Sequence, residues 1–244
     1  RSFEAPQFTE LLNVRFDFGG NGSLFHNPLR AQRATSAEFG TRGREGIVSW
    51  EMAYYYAWLH REMITSSPFP GANFVSNGNR TAHQGVEFAA EVTLAEGMAA
   101  AKTEQMPGDR IYVRSSYTWN HFKFRNDPVY GDNHLPGVPE HVLIAELGYI
   151  HPSGAFISTN VEFVPKEYAA DYANSFFADP YATYGVKLGY RRDTGLSFFA
   201  EVRNLSDQRY ISSLNQVGNA GGADLPNFHP AFARAYYAGM ELRW

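Results

Sequence analysis

The sequence predicts an all-β protein, a transmembrane antiparallel β-barrel to which this chain contributes about nine strands. Apolar and polar residues alternate repeatedly over eight or more positions, which is the period of strands with two different faces. Aromatic residues make up 16% of the 244 residues and flank the apolar rows, as at membrane interfaces. Short and long connections also alternate along the chain, as in outer-membrane barrels.

Nine segments show this alternation. In the second, Trp50, Met52 and Tyr54 share one face, with Glu51 and Ala53 on the other. In the last, Phe232, Tyr236, Met240, Leu242 and Trp244 form an apolar row, with Arg234 as its one charge near the outer headgroups. The predicted strands are residues 36–43, 47–64, 81–94, 110–124, 141–150, 155–164, 181–191, 196–204 and 232–244.

The connections fall into two groups. Residues 44–46, 95–108, 151–154 and 192–195 join strands at one end, mostly as tight turns. Residues 66–80, 125–140, 165–180 and 207–230 are longer and rich in Gly, Pro, Asn and aromatics. This asymmetry predicts one end with short turns and an opposite end that carries the loops.

Composition excludes several function classes. A formal charge of −4 without a run of like charges argues against nucleic acid as a partner. The chain has no cysteine, and its eight histidines lack metal-ligand spacing, so no metal site or cofactor is predicted. No nucleophile, paired acid and base or phosphate-binding loop stands out, so an enzyme is not predicted.

Alternation alone leaves a soluble alternative open. In a soluble sandwich or lectin-like domain the apolar face would form the core and the charged face would meet water. In a membrane barrel the apolar face meets lipid and the charged face lines the lumen. The aromatic flanks and the alternating connection lengths favour the membrane. No segment reaches the roughly eighteen apolar residues of a spanning helix.

Five motifs, spread from the first residue to the last, resemble the barrel of TonB-dependent outer-membrane receptors. They are "RSFEAPQFTELL" at 1–12, "NPLRAQRATSAEFGTRG" at 27–43, "RTAHQGVEF" at 80–88, "RNLSDQRY" at 203–210 and the terminal Trp244. The second departs from the family pattern: Arg30, Ala31 and Gln32 stand where Lys-Pro-Glu is usual, and Ala37 where Tyr is usual.

The resemblance implies a barrel of about 22 strands, which encloses a plug. Residues 1–244 would be its C-terminal portion, and the plug and first strands are absent from this sequence. About nine strands cannot close such a barrel, so either other polypeptide completes it or the protein takes a form other than the native assembly. The implied partners are outer-membrane lipid of a Gram-negative cell, the TonB complex through the plug, and the barrel-assembly machinery.

The implied function is energy-coupled import of a scarce ligand, most often a ferric siderophore or another iron chelate. One alternative is a passive porin-like or structural barrel. Another is TonB-dependent uptake of a non-iron ligand, such as cobalamin or a redox cofactor.

Three sets of residues follow from these expectations. Long-loop aromatics and cations are candidates for substrate binding, although they could instead brace loop against loop: Phe69, Phe74, Arg125, Tyr130, His134, Tyr210, Phe228 and His229. Charges of the lumen row are candidates for contact with the plug: Glu87, Glu91, Arg114, Glu201 and Arg203. The resemblance implies an assembly signal at Tyr236, Met240, Leu242 and Trp244, and His83 is predicted to hydrogen-bond in the lumen.

Overall fold

The computed structural model describes residues 1–16, 22–26, 28–69, 72–104, 107–223 and 228–244. The side chains of residues 8–9, 12–16, 22–26, 66–69 and 72–73 lie outside this description. Across the described residues, we find no helix with the length and apolar character needed to cross a membrane.

The described chain is built from strands and one helical turn. In chain order the elements are β1 (Ser2–Glu4), α1 (Phe8–Leu11), β2 (Leu12–Phe16), β3 (Gly22–His26), β4 (Gln32–Glu45), β5 (Val48–His60), β6 (Met63–Phe69), β7 (Ala72–Asn77), β8 (Arg80–Glu96), β9 (Arg110–Phe124), β10 (His141–Ile150), β11 (Ala155–Val164), β12 (Tyr168–Ala169), β13 (Phe177–Ala178), β14 (Tyr181–Tyr190), β15 (Gly195–Arg203), β16 (Ile211–Leu214), β17 (Phe228–Pro230) and β18 (Ala235–Arg243).

Ten of these strands form one antiparallel sheet that follows the chain as a meander. Its order is β1, β4, β5, β8, β9, β10, β11, β14, β15 and β18. All nine predicted strands are therefore confirmed as members of this sheet, and β1 adds a short tenth strand. The bounds of β9, β10 and β11 agree with the prediction to the residue.

The second predicted strand is wrong at its C-terminal end. It was expected to reach residue 64, but β5 ends at His60 because Arg61 adopts a left-handed conformation with φ of 59°. The chain reverses there, and Met63 and Ile64 belong to β6. The last strand is also shorter than predicted, since Phe232 precedes β18 and Arg234 donates from Nε to the Leu205 carbonyl at 2.9 Å.

Eight short strands form four hairpins outside the main sheet: β2 with β3, β6 with β7, β12 with β13, and β16 with β17. The sequence did not predict them. They are two to seven residues long, too short for a period of two to stand out from irregular sequence.

The strand register separates the main sheet into two faces. One row, typical of the apolar face, runs through Thr41, Met52, Phe88, Tyr117, Leu143 and Phe163. A row of the charged face runs through Arg44, Ser49, Glu91, Arg114, Glu146 and Asn160. The apolar face is uncovered by protein, as Phe39 (78% exposed) and Met240 (83%) show. Such a face requires lipid or further protein.

Most of the buried apolar residues lie at the end of the sheet that carries the long connections, here called the outer end; Tyr112, near the opposite end, is an exception. One cluster joins Ile64, Phe124 and Tyr172. A second joins Val164, Tyr168 and Ala178. Phe124 and Val164 belong to charged-face rows, so the loops cover the outer end of that face.

Aromatic rings of the charged face lie over glycines of neighbouring strands. Tyr55 covers Gly85, Tyr112 covers Gly148 and Phe199 covers Gly239, in each case where an added Cβ would collide with the ring. Glycine weakens a strand, and a covering ring from the next strand restores the lost contact.

Asp109 closes the connection between β8 and β9 at the opposite, inner end. The buried carboxylate accepts hydrogen bonds from the backbone N–H groups of Ala100 (2.9 Å) and Ala99 (3.1 Å). The Ala100 N–H is the main reason that the pKa of Asp109 lies below its ordinary value, and the Ala99 N–H and the Tyr149 hydroxyl add to it.

A lowered pKa means that this carboxylate stabilises the fold above its unfolded-state pKa, and that the contribution disappears as pH falls through the folded-state pKa. We therefore expect Asp109→Asn to lower the melting temperature near neutral pH and to have a much smaller effect in strong acid. The difference in melting temperature between the wild type and Asp109→Asn is measured by thermal melting from neutral pH to strong acid. An equal difference at every pH would contradict the assignment to the ionised carboxylate.

Candidate functional site

Two regions carry polar chemistry: the loop assembly at the outer end, and the charged face below it. The loop assembly consists of the described residues of 61–79, 125–140, 165–180 and 204–234. Its parts contact one another as well as the sheet, so it forms one folded unit.

Asp171 holds two of the loops together. Its side chain is fully buried. Oδ1 accepts from the backbone N–H of Ser175 (2.7 Å) and Phe176 (3.3 Å), and Oδ2 accepts from Ser175 Oγ (2.5 Å) and Ala220 N (2.7 Å). Four hydrogen bonds compensate the carboxylate for its loss of water. The loop 165–180 is thereby attached to the loop 204–234.

Tyr172 joins three parts of the assembly. Its hydroxyl lies 2.8 Å from the Thr65 carbonyl and 2.5 Å from Gln216 Oε1. Its ring packs against Phe124 and Tyr130, with centroids 5.8 and 5.6 Å away. Burial raises the pKa of Tyr172 well above its ordinary value, so the neutral hydroxyl remains a hydrogen-bond donor.

Side-chain amides make further connections, beside backbone hydrogen bonds such as that from the Tyr172 N–H to the Val217 carbonyl at 3.0 Å. Asn174 accepts from the His134 N–H at 2.8 Å and donates to the His134 carbonyl at 2.9 Å. Gln216 Nε2 donates to the Pro136 carbonyl at 3.1 Å. The loop 125–140 is therefore tied to both of the loops that Asp171 connects.

The predicted substrate residues lie within this assembly, and several of them brace it. Tyr130 stacks on Phe124 at 5.0 Å, Tyr210 on Tyr181 at 4.2 Å, and Phe228 on Phe176 at 5.4 Å. These three rings shape the assembly from within. Any contact that they make with a ligand stays a prediction.

The other candidates are more dispersed. The His134 ring meets His121 edge to face at 5.0 Å, and the His229 side chain is exposed. Phe74 lies in β7 opposite Ser66, and the side chain of Phe69 is outside the described residues. Arg125 donates from Nη2 to the Tyr56 hydroxyl at 3.1 Å, and Tyr56 belongs to an apolar-face row. The structure therefore directs Arg125 away from the other candidates.

On the charged face, a first ionic cluster surrounds Glu91. This carboxylate accepts from Arg110 Nη1 at 2.8 Å and Arg114 Nη2 at 2.6 Å. Both guanidinium groups lie over the Tyr112 ring, at 4.9 and 5.4 Å. The Tyr112 hydroxyl donates to Glu146 at 2.8 Å. Glu91 and Arg114, which were each predicted to contact the plug, are thus brought together and pair with each other.

A second ionic cluster surrounds Glu201. Arg203 Nε donates to it at 2.6 Å, and Lys187 Nζ lies 3.8 Å away. Lys187 and Arg203 also cover the rings of Phe199 and Tyr237. Among the described residues, Glu87 makes no ion pair and its side chain is exposed. Of the five predicted plug contacts, Glu87 is therefore the one without a partner on the wall.

His83 lies where the charged face meets the loop assembly. Its Nε2 is 3.2 Å from Glu62 Oε2, which also accepts from the Thr81 hydroxyl. Its ring stacks on Phe122 with centroids 4.4 Å apart. The predicted hydrogen-bonding role is confirmed. Within the part of the chain that the structure describes, no three His, Asp or Glu side chains gather as metal ligands.

Sequence reasoning missed Asp171, Tyr172 and Gln216, which connect the loops. Each is a polar residue in a long connection, a type that occurs there without special function. The segment 171–175, Asp-Tyr-Ala-Asn-Ser, carries the one usable signal, because Asp followed by Ser commonly forms local side-chain to backbone hydrogen bonds.

Comparison with solved structures gives the same architecture. The ferric yersiniabactin uptake receptor FyuA from Yersinia pestis superposes with a TM-score of 0.65 at 16% identity, over 98% of this chain and 33% of that one. The copper transporter OprC superposes with a TM-score of 0.67 at 16% sequence identity, over 100% of this chain and 36% of the transporter. A variant of the ferric enterobactin receptor PfeA from Pseudomonas aeruginosa superposes with a TM-score of 0.67 at 17% sequence identity, over 98% of this chain and 36% of the receptor.

This chain therefore spans about a third of the length of these structures. At such identities the likeness shows the fold alone. The sheet is a partial, open barrel wall that matches segments of their barrels. The profile of the TonB-dependent receptor-like β-barrel family matches residues 1–205. Since this match covers most of the sequence and agrees with the meander, the two faces and the outer loops, the chain belongs to the TonB-dependent receptor β-barrel family.

Proposed function

We propose that this chain forms the C-terminal wall and outer loops of an outer-membrane receptor that imports an iron chelate with energy from TonB. The observation that carries the proposal is the loop assembly, in which four loops are joined by Asp171, Tyr172 and Asn174 at one mouth of the wall. Preorganised loops lose less conformational entropy when a ligand binds.

An iron chelate is supported by the relatives. Structures similar to this chain include a ferric yersiniabactin uptake receptor, a ferric citrate transporter and a ferric enterobactin receptor. The loop assembly supplies aromatic rings and histidines, which suit the aromatic or anionic groups of such chelates. The role is transport, with no catalytic step.

The charged face would line the lumen and contact the plug. Glu91 and Glu201 are already neutralised by their own wall, so a plug would meet the ionic clusters as preformed polar surfaces. Glu87 offers an unpaired carboxylate, which would accept from a cation or an N–H of the plug. A plug-containing structure in which Glu87, Arg114 and Arg203 contact only water would contradict this.

The remaining partners follow from the proposed location. A Gram-negative outer membrane would supply lipid to the apolar face, and the TonB complex would act through the plug. Tyr236, Met240 and Leu242 lie on the apolar face of β18, and Trp244 follows it. These four residues would be read by the barrel-assembly machinery.

A non-iron ligand is the second candidate, because a copper transporter is among the similar structures. The experiment is a binding panel on the full-length receptor, with ferric catecholate, ferric hydroxamate, ferric citrate, Cu²⁺ and cobalamin as probes. We expect one ferric chelate to bind more tightly than the other probes. Uptake of that chelate by cells should disappear when TonB is deleted.

The same assay tests the loops. His229 is exposed in the loop assembly, and we expect His229→Ala to weaken chelate binding by roughly tenfold, the effect of one lost polar contact. His151→Ala, in the tight turn between β10 and β11, is the matched control and should bind normally. Uptake that persists without TonB would favour a porin-like barrel. Tightest binding of Cu²⁺ or cobalamin would favour a non-iron importer.

A further inference from the structure

Basic side chains form a row across four adjacent strands at the outer end of the apolar face. Arg33 pairs with His60 in β5, and His60 pairs with Arg80 in β8. Arg125 continues the row, since its backbone N–H donates to the Arg80 carbonyl at 2.9 Å. Lys123 lies one row below, level with Trp58 and Ala82. We call Arg33, His60, Arg80, Lys123 and Arg125 the basic row.

This arrangement is unfavourable on its own. Arg80 and Arg125 lie opposite each other in neighbouring strands, and like charges in this arrangement destabilise a sheet. Among the described residues, none of Arg33, Arg80 and Lys123 forms an ion pair with a carboxylate, and Arg33 and Arg80 are exposed. The ionic clusters of the charged face, by contrast, are neutralised within the chain. The described residues therefore supply no counter-charge to Arg33, Arg80 and Lys123.

The depth of the basic row identifies the environment. Trp58 is level with Lys123 and Tyr56 lies one row below; their rings are 4.3 Å apart and belong to the apolar face. Tyr and Trp on a lipid-facing surface mark the boundary between acyl chains and headgroups. Arg125 reaches down to the Tyr56 hydroxyl, which ties the cations to this boundary. If the wall spans the outer membrane as proposed above, the basic row lies at the level of the outer-leaflet headgroups.

We propose that the basic row binds the phosphates of an anionic lipid of the outer leaflet. Phosphate oxygens accept hydrogen bonds from arginine in a bidentate geometry, and lysine adds a point charge. The acyl chains of the same lipid would lie along the exposed apolar residues below, which include Phe39 and Trp58. One molecule would then satisfy both the unpaired cations and the uncovered apolar surface.

The test uses the full-length receptor in neutral detergent micelles that contain diphosphoryl lipid A as the probe. Bound lipid is counted by native mass spectrometry and titrated for affinity. The variant R33Q/R80Q/K123Q removes three cations and leaves Arg125 in place. The control R42Q/R44Q/K102Q removes the same charge from the charged face of β4 and from the inner connection.

We expect the first variant to bind lipid A at least tenfold more weakly, since each cation near a lipid surface contributes roughly fivefold. The control should bind as the wild type does. Binding to the wild type should weaken with added salt, and dephosphorylated lipid A should bind as weakly as diphosphoryl lipid A binds the first variant. Inorganic phosphate should not compete at millimolar concentration, because it lacks acyl chains.

Unchanged lipid A binding in R33Q/R80Q/K123Q would overturn the proposal. Equal losses in both triple variants would also overturn it, because they would show a general charge effect. Competition by inorganic phosphate would assign the basic row to a soluble anion instead. If the triple variant fails to fold, K123Q alone is compared with K102Q, and equal lipid affinity then counts against the proposal. Chelate binding is measured in parallel and should not change.

Discussion

Replacing Asp171 with alanine is expected to release the loop assembly while leaving the barrel wall intact. The substitution removes the carboxylate that accepts four hydrogen bonds. The backbone N–H groups of Ser175, Phe176 and Ala220 and the Ser175 hydroxyl lose this acceptor. Hydrogen bonds to a buried carboxylate contribute strongly, and loss of this group should cost about 3 to 5 kcal/mol of local stability. We expect ligand affinity to fall by more than about tenfold as a result.

Hydrogen exchange and limited proteolysis of the full-length receptor measure this directly. Loops 165–180 and 204–234 should lose protection together in Asp171→Ala, because Asp171 bonds to both. The isosteric variant Asp171→Asn should behave similarly, since its amide would place a donor against N–H or hydroxyl donors. The exposed Asp193, in the turn between β14 and β15, gives the matched control Asp193→Asn. Normal protection of both loops in Asp171→Ala would show that other contacts hold the assembly.

Gly148→Val should destabilise the wall itself. A Cβ at this position would collide with the ring of Tyr112, which is buried, hydrogen-bonded to Glu146 and covered by two guanidinium groups. Overpacking costs about 1 to 3 kcal/mol, and displacement of Tyr112 would add the loss of the Glu146 hydrogen bond. We expect less receptor assembled in the membrane and a lower urea midpoint for what is assembled.

A double-mutant cycle isolates the cause. The cost of Gly148→Val should shrink in a Tyr112→Ala background, where the ring is absent. Ala89→Val, at an exposed charged-face position in β8, controls for adding a branched side chain to this face and should be tolerated. A cost of Gly148→Val that is independent of Tyr112 would mean that the backbone, and not the ring, requires glycine.

The main strands could be predicted because their signal is local. Each of the nine long strands repeats with a period of two over eight or more residues, and this pattern survives whatever the strand pairs with. The residue at which a strand ends is harder to predict from the sequence than the strand itself. At Arg61 a single left-handed residue ends β5 and redirects the chain, and the residue type does not reveal this backbone conformation.

The candidate site was predicted only in part. Residue type and position correctly put Tyr130, Tyr210 and Phe228 at the outer end, but could not show that each ring is stacked on another ring. For Arg125 the sequence indicated the loop region, while the structure turns its guanidinium toward Tyr56 on the apolar face. Side-chain direction at the end of a strand depends on the register of its neighbours.

By itself, the sequence determined the all-β class, the meander of nine long strands, the division into an apolar and a charged face, and the family motifs. These follow from periodicity and short motifs, which act within a few residues of one another. Only the tertiary structure decided that Glu91 and Glu201 are neutralised on the wall, that Asp171 and Tyr172 join the loops, and that the basic row forms. Those features join residues as far as 107 positions apart in the chain, and no local pattern encodes such contacts.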